Sequence, residues 1–184
     1  QMCIRDRANS TLMPVATDHT VPSCGWMVQQ HATAGKFDRA RADDLGLTTK
    51  ERAQLARGEN VARNNGELLE AVWFRGGKRA PVSVLISGDT ASRPTAWDDD
   101  VAPTLLIHES TFLNEQQDKA DQHQHSTAAG AVASARAVGA SCLALTHYSN
   151  RIKSSKTAND EASEVADGLP VVALNDNDLS LIHI

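Results

Sequence analysis

The sequence predicts an α/β layer fold, and three observations carry that reading. Apolar runs rich in Val, Leu and Ile recur at residues 82–86, 104–107, 142–145 and 169–174, each at the length of a buried strand. An alanine-rich helical segment, residues 126–138, and a second one, residues 159–166, separate the last three runs, giving strand, helix, strand, helix, strand. Three of the runs end in a polar group: "VSVLISGD" at Asp89, "TLLIHE" at His108 and Glu109, "CLALTH" at His147. Strands that deliver a polar side chain at their tips are how layered α/β proteins build sites.

The elements follow in order. Residues 12–16 are a short strand leading into Asp18 and His19, "VPSCGW" is a turn marked by Pro22 and Gly25, and residues 26–28 begin a second strand. Residues 35–63 are rich in charge and poor in large apolar side chains. They contain two short helical segments, "FDRARADDLGL" and "TTKERAQLARG". Thr48 or Thr49 caps the second, Glu51 lies in its first turn and Gly58 stops it. "NNGE" is a turn, and residues 71–74, "GGKRAP" and residues 82–86 read as a hairpin feeding the Asp89 loop. A polar loop runs to residue 103. The 126–138 helix has Ser126 or Thr127 as N-cap and Gly139 just past its end.

A length of 184 residues fits one domain, and with aromatics at 4% its core is built from Ala, Val and Leu. The net charge of −5 argues against a surface that is basic all over, although a local patch or a metal pair can still meet phosphate. Three cysteines without paired spacing provide neither a disulfide framework nor a zinc ribbon, which predicts a reducing, cytoplasmic setting. No apolar stretch reaches the roughly 20 residues of a membrane helix.

The two ends read as foreign. Residues 1–7, "QMCIRDR", can be encoded by CAG ATG TGT ATA AGA GAC AGA; the reverse complement of its inner part, CTG TCT CTT ATA CAC ATC, encodes "LSLIHI", residues 179–184. One inverted DNA element thus explains both tails, and it resembles a transposase adapter. The expectation is that residues 8–178 are an internal piece of a longer product, which removes Cys3 and His183 from any site.

Asp and neutral His suit zinc, so Asp18–His19, Asp89, His108–His125 and His147 read as the ligand-bearing part of a dinuclear metal site. At these residues the chain resembles the metallo-β-lactamase fold and, within it, the ribonuclease Z family of tRNA 3′-processing endonucleases. "DHTVPSCGW", "GKFDRARADDLGL", "SGDT", "HESTF", "HSTA" and "THYSNR" stand in the family's order over most of residues 8–178. The family's His-x-His-x-Asp-His motif is absent. Ala34 replaces a usual Pro, Ile152 a usual Tyr, and a Gly-Pro turn is missing near residues 48–50.

The resemblance implies the C-terminal part of an αββα sandwich without its N-terminal half. It implies an enzyme with two Zn²⁺ ions that removes 3′ trailers from pre-tRNA by hydroxide attack on a phosphodiester. Asp89 would bridge the cations, with His147 on one and His19 on the other. The competing reading of Asp89 is a loop cap; His147, read without the resemblance, is equally a core imidazole bonded to a carbonyl. His125, before a helix start, would meet the scissile phosphate and give a proton to the leaving oxygen, with Glu109 in support. Lys36, Arg39 and Arg41, with Lys50, Arg52 and Arg57, form either an RNA-binding arm at residues 31–63 or a solvated surface interleaved with acids. A homodimer is compatible with the resemblance. Another hydrolase of the fold, a cyclic-nucleotide phosphodiesterase or arylsulfatase-like enzyme, and a non-catalytic subunit are the competing readings. With most metal ligands upstream, this chain alone is expected to be inactive.

Overall fold

The structure, a computed structural model, describes residues 5–7, 10–77, 80–97, 101–176 and 178. The tail at residues 179–184 and residues 1–4 lie outside the described residues. Two compact units partition the chain: residues 31–81 form one, and the segments before and after them form the other.

The larger unit is built on a seven-stranded sheet of order β1-β2-β3-β6-β7-β8-β9. Its strands are β1 (Arg5–Arg7), β2 (Ser10–Ala16), β3 (Cys24–Gln30), β6 (Val82–Ile86), β7 (Leu105–Glu109), β8 (Leu143–Thr146) and β9 (Val171–Ala173). The first four pair antiparallel, and β6 to β9 are parallel. Because β3 opposes both β2 and β6, β2 runs in the same direction as β6, β7 and β8. With β9 parallel to β8, five strand ends therefore point to one edge.

Register decides which side chains share a face. Met13, Met27, Leu85, Leu106, Leu143 and Val171 stand in one row across the sheet. That row packs into the main core with Leu145 and the alanines of α4 (Ala128–Ala137) and α5 (Ser155–Val165). Ala128, Ala131, Ala135, Ala158 and Ala162 are fully buried, so small side chains let both helices lie close to the strands. The opposite face is also apolar yet open: Trp26, Val28, Ile86 and Val172 are each more than a third exposed.

The ends of α4 are where the sequence puts them. Thr127 caps α4 by accepting from the Gly130 N–H, and Gly139 follows with φ +65°. The second helix of the final segment begins earlier than expected, at Ser155 after an Ser154 cap. α3 (Gln117–His123) was not anticipated; it carries no apolar stripe and buries only Ala120.

The smaller unit contains α1 (Arg39–Asp44), α2 (Thr49–Arg57) and a short antiparallel pair, β4 (Val61–Ala62) with β5 (Leu68–Leu69). Thr48 and Glu51 form a reciprocal capping box on α2, and Gly58 ends it in a left-handed conformation. Its own core gathers Ala42, Leu47, Leu55, Val61, Leu69, Ala71 and Phe74. The hairpin expected between residues 71–74 and 82–86 does not form. Ala71–Phe74 is a 3₁₀ turn whose Ala71 and Phe74 fill this core, and β6 pairs instead with β3 and β7. A run of Ala, Val, Trp and Phe looks equally apolar in either conformation, so the pattern alone does not separate them.

Candidate metal centre

The common edge collects the polar residues. β6 runs out through Ser87 and Gly88 to Asp89, β7 ends on Glu109, and β8 passes directly into His147. His19 follows β2, and His125 sits two residues before the Thr127 cap of α4. Close backbone approach brings the first two loops together. A Cβ on Gly25 would stand 2.6 Å from the Ile86 carbonyl oxygen, and one on Gly88, at φ +65°, 2.9 Å from that of Cys24. Asp18 is spent in this bracing: its backbone carbonyl accepts from Ala91 N–H at 2.7 Å and its carboxylate from Thr95 N–H at 2.8 Å.

Ligand atoms of His19, Asp89 and His125 all lie within 4.8 Å of one another, as do those of Glu109, His125 and His147. The Asp89 carboxylate is 3.5 Å from Nδ1 of His147. Among the described residues it accepts no hydrogen bond from its own loop, so the loop-cap alternative has no bond behind it. The His19 and His125 rings meet edge to face with centroids 4.7 Å apart.

The second trio is a hydrogen-bonded network rather than a set of open ligands. Glu109 is 1% exposed and accepts from five donors. Its Oε1 takes Thr90 N–H at 2.9 Å and Nδ1 of His125 at 2.6 Å. Its Oε2 takes the Thr111 hydroxyl at 2.6 Å, Ser126 N–H at 3.1 Å and Thr111 N–H at 3.2 Å. Five donors saturate the lone-pair sites of a carboxylate, leaving nothing for a cation. Asp89, by contrast, has its oxygens unspent.

Each of the three histidines has its Nδ1 engaged by the protein. His19 Nδ1 is 2.9 Å from the carbonyl of Gln124, His125 Nδ1 meets Glu109, and His147 Nδ1 is 3.0 Å from the Thr111 hydroxyl. Gln124 closes α3 at φ +52°, which turns that carbonyl toward His19, and His125 N–H donates to Ala120 of the same helix. The unforeseen helix is thus what seats His125. His147 itself has φ +56°, a left-handed backbone that costs a non-glycine residue energy and recurs at functional positions.

Two imidazoles with Nε2 left over and one carboxylate with free oxygens are a donor set that fits zinc or a similar divalent cation. His19, Asp89 and His147 are the residues able to hold such ions, and His125 can serve as ligand or proton donor. His123, inside the same stretch as His125, stacks on Phe112. Thr111, part of "HESTF" but given no role of its own from sequence, has its hydroxyl within hydrogen-bond reach of Glu109, His147 and His125.

His108 points the other way. It is fully buried, its Nδ1 bonds the Glu109 carbonyl at 2.8 Å, its Nε2 has no partner among the described residues, and its ring lies edge-on to Trp97. Burial pushes its pKa below the ordinary 6.5, against smaller opposing contributions from Glu109. The unfolded chain takes up the proton more readily than the folded one. Stability is therefore complete above pH 6.5 and is lost as pH falls through the unfolded pKa toward the depressed folded value. Thermal midpoints measured from pH 7.5 to 5 should drop below pH 6.5, and His108→Gln should flatten that slope.

In the smaller unit Lys36, Arg39 and Arg41 are exposed. Arg41 lies over the Phe74 ring at 5.5 Å. Arg52, Arg57 and Arg63 are instead tied to Asp43, Glu59 and Glu51. The six basic residues named from sequence therefore divide: Arg52 and Arg57 are occupied within the unit, while Lys36, Arg39, Arg41 and Lys50 enter no ion pair among the described residues. No described helix is long and apolar enough to cross a membrane.

No family model matches the chain. Sequence comparison finds ribonuclease Z of Parasynechococcus marenigrum (strain WH8102), 39% identical over 134 residues, covering 72% of this chain and 42% of the relative. Ribonuclease Z of Haloarcula marismortui is 32% identical over 173 residues, covering 92% of this chain and 55% of the relative. The chain thus spans about half the length of the curated relatives it matches. Among solved structures, a metallo-β-lactamase fold protein from Bacillus subtilis superposes with a TM-score of 0.54 at 15% identity, covering 94% of this chain and 50% of that one.

Proposed function

We propose, from the premise that this chain is a homologue of ribonuclease Z on a metallo-β-lactamase fold, that the gene product is a metal-dependent endoribonuclease removing 3′ trailers from pre-tRNA. One observation carries the reading: His19, Asp89 and His147 meet the Glu109–His125 pair at the edge where the parallel strands end.

Divalent cations, when bound, would be held by His19, His147 and Asp89, whose carboxylate has two oxygens to offer. When bound, the ions polarise the phosphoryl group and make a water nucleophile available near neutral pH. Glu109 fixes one proton of His125 on Nδ1, so Nε2 is the nitrogen that faces the substrate; when the ring carries a second proton there, Nε2 passes it to the leaving 3′-oxygen and the ring is left in its Nδ1–H form. The N-terminus of α4 adds positive potential beside it. Lys36, Arg39 and Arg41 contact phosphates of the RNA; their freedom from acidic partners supports this use.

The described ligands amount to one imidazole per cation plus a shared carboxylate, short of the three protein ligands a catalytic zinc takes. We infer that this chain alone is inactive and that ligands from a further segment complete the site. The test compares this chain with the full-length gene product on pre-tRNA bearing a 3′ trailer and on bis(p-nitrophenyl) phosphate. Metal-dependent cleavage of pre-tRNA by the full-length protein only is the expected result. Turnover of the small diester without RNA cleavage favours another hydrolase of the fold. Absence of both, with no bound metal, favours a non-catalytic subunit.

A further inference from the structure

We propose that Thr111 is a positioning residue that fixes which nitrogen of His147 carries the proton and couples His147 to the Glu109–His125 pair. The Thr111 hydroxyl has a single hydrogen and four neighbours. Oε2 of Glu109 is at 2.6 Å, Nδ1 of His147 at 3.0 Å, the His147 carbonyl at 3.2 Å and Nδ1 of His125 at 3.3 Å.

The buried carboxylate is the nearest and strongest acceptor, so the hydrogen goes there. The hydroxyl oxygen then faces His147 with lone pairs only, and Nδ1 of His147 must be the donor. That leaves Nε2 of His147 as a bare lone pair.

The resulting chain runs without a gap from His147 Nδ1–H to the Thr111 oxygen, from the Thr111 hydrogen to Glu109 Oε2, and from Glu109 Oε1 to Nδ1–H of His125. One carboxylate thereby orders both imidazoles. Thr111 is held for this task by its own backbone. Its N–H donates to Glu109, its carbonyl accepts from Ser149 N–H at 3.2 Å, and the neighbouring Phe112 is buried.

His147 needs the help more than the other histidines. Its side chain is half exposed, 52%, and packing does little to fix the ring. The other group near its Nδ1, Asp89 at 3.5 Å, is beyond good hydrogen-bond distance and would be drawn away by a cation. Without the hydroxyl, the ring is free to turn Nδ1 toward Asp89 or to take the other tautomer. Either change withdraws the Nε2 lone pair.

Only the metal-affinity arm of the test rests on the proposed function; the tautomer arm stands apart from it. Long-range proton–nitrogen NMR of this chain, metal-free and above pH 7.5, should show His147 protonated on Nδ1. In Thr111→Val the Nδ1–H form should cease to dominate, and in Thr111→Ser it should return. In the full-length protein, Thr111→Val should weaken zinc binding, read by chelator competition, by about 10–100-fold, the range for outer partners of metal ligands. It should lower kcat with little change in KM, while Thr111→Ser stays near wild type. An Nε2–H tautomer in the wild-type chain overturns the proposal whether or not any variant folds. So does a Thr111→Val protein with an unchanged tautomer and unchanged zinc affinity. A Thr111-dependent Nδ1–H tautomer in a full-length protein that binds no zinc upholds the positioning role and rejects the metal reading instead.

Discussion

Asp89→Ala in the full-length protein should abolish pre-tRNA cleavage, by at least about 10³-fold, while leaving the fold almost unchanged. The loss should exceed the 10–100-fold that outer partners of a metal site carry, because Asp89 is the one candidate ligand able to serve both cations. The fold should survive for a reason visible in the structure. The carboxylate accepts no bond from its loop among the described residues, and the side chain is 40% exposed. What positions the loop is backbone: Ser23 donates to the Asp89 carbonyl at 3.1 Å, and Gly25 and Gly88 permit the contact. A surface truncation of this kind changes stability by no more than about 0.5 kcal/mol. Single-turnover cleavage, metal content and a thermal melt read the three properties separately. A variant that keeps its metal and cleaves within tenfold of wild type would remove Asp89 from the site.

Glu109 should behave in the opposite way, losing both stability and activity. Glu109→Leu strands the N–H groups of Thr90, Thr111 and Ser126 in the interior. At about 1–3 kcal/mol for each buried group left unpaired, the total is at least about 3 kcal/mol. For a domain of this size that lowers the melting midpoint by about 6–12 °C. Glu109→Gln is the sharper probe. A Gln amide must turn its NH₂ toward one of two donor sets, Thr90 and His125 on one side or Thr111 and Ser126 on the other. The cheaper arrangement meets His125, whose ring can accept on Nδ1 if its proton moves to Nε2. A ring that accepts on Nδ1 cannot carry both protons, so the doubly protonated form of the proposed donor is lost, and the rate should fall by about 10²–10⁴-fold, the range for a lost acid–base group. A Gln variant that cleaves within a fewfold of wild type would show that Glu109 supports the fold only.

The strand tips were legible because each follows the same physical rule: a short run of branched apolar residues that stops at a charge. Asp89, Glu109 and His147 were readable one by one for that reason. Capping chemistry made α2 and α4 readable too, since Thr48, Gly58 and Thr127 each act through local backbone geometry. What could not be read is what tertiary structure alone creates. α3 has no apolar stripe and forms because Ala120 packs inward and Asn114 is tied to Glu161 and Ala129. Thr111 is a common residue in a common place, and its proposed role exists only once the ends of β7 and β8 and the start of α4 stand together. The 71–74 segment went the other way, its apolar pattern satisfying a 3₁₀ turn as easily as a strand.

The left-handed backbone of His147 places a second filter on that position, independent of chemistry. Histidine, asparagine and aspartate tolerate φ near +56° better than most residues, and glycine adopts it freely. Branched and aromatic replacements would be refused by conformation before their failure to bind anything could matter. The substitutions most easily accepted are therefore Gly and Asn, which relax or tolerate the turn while erasing the imidazole. Under selection for stability alone, this residue would drift toward loss of the site. Keeping the imidazole that the proposed site would use therefore costs some stability, at a single turn between β8 and the loop that follows.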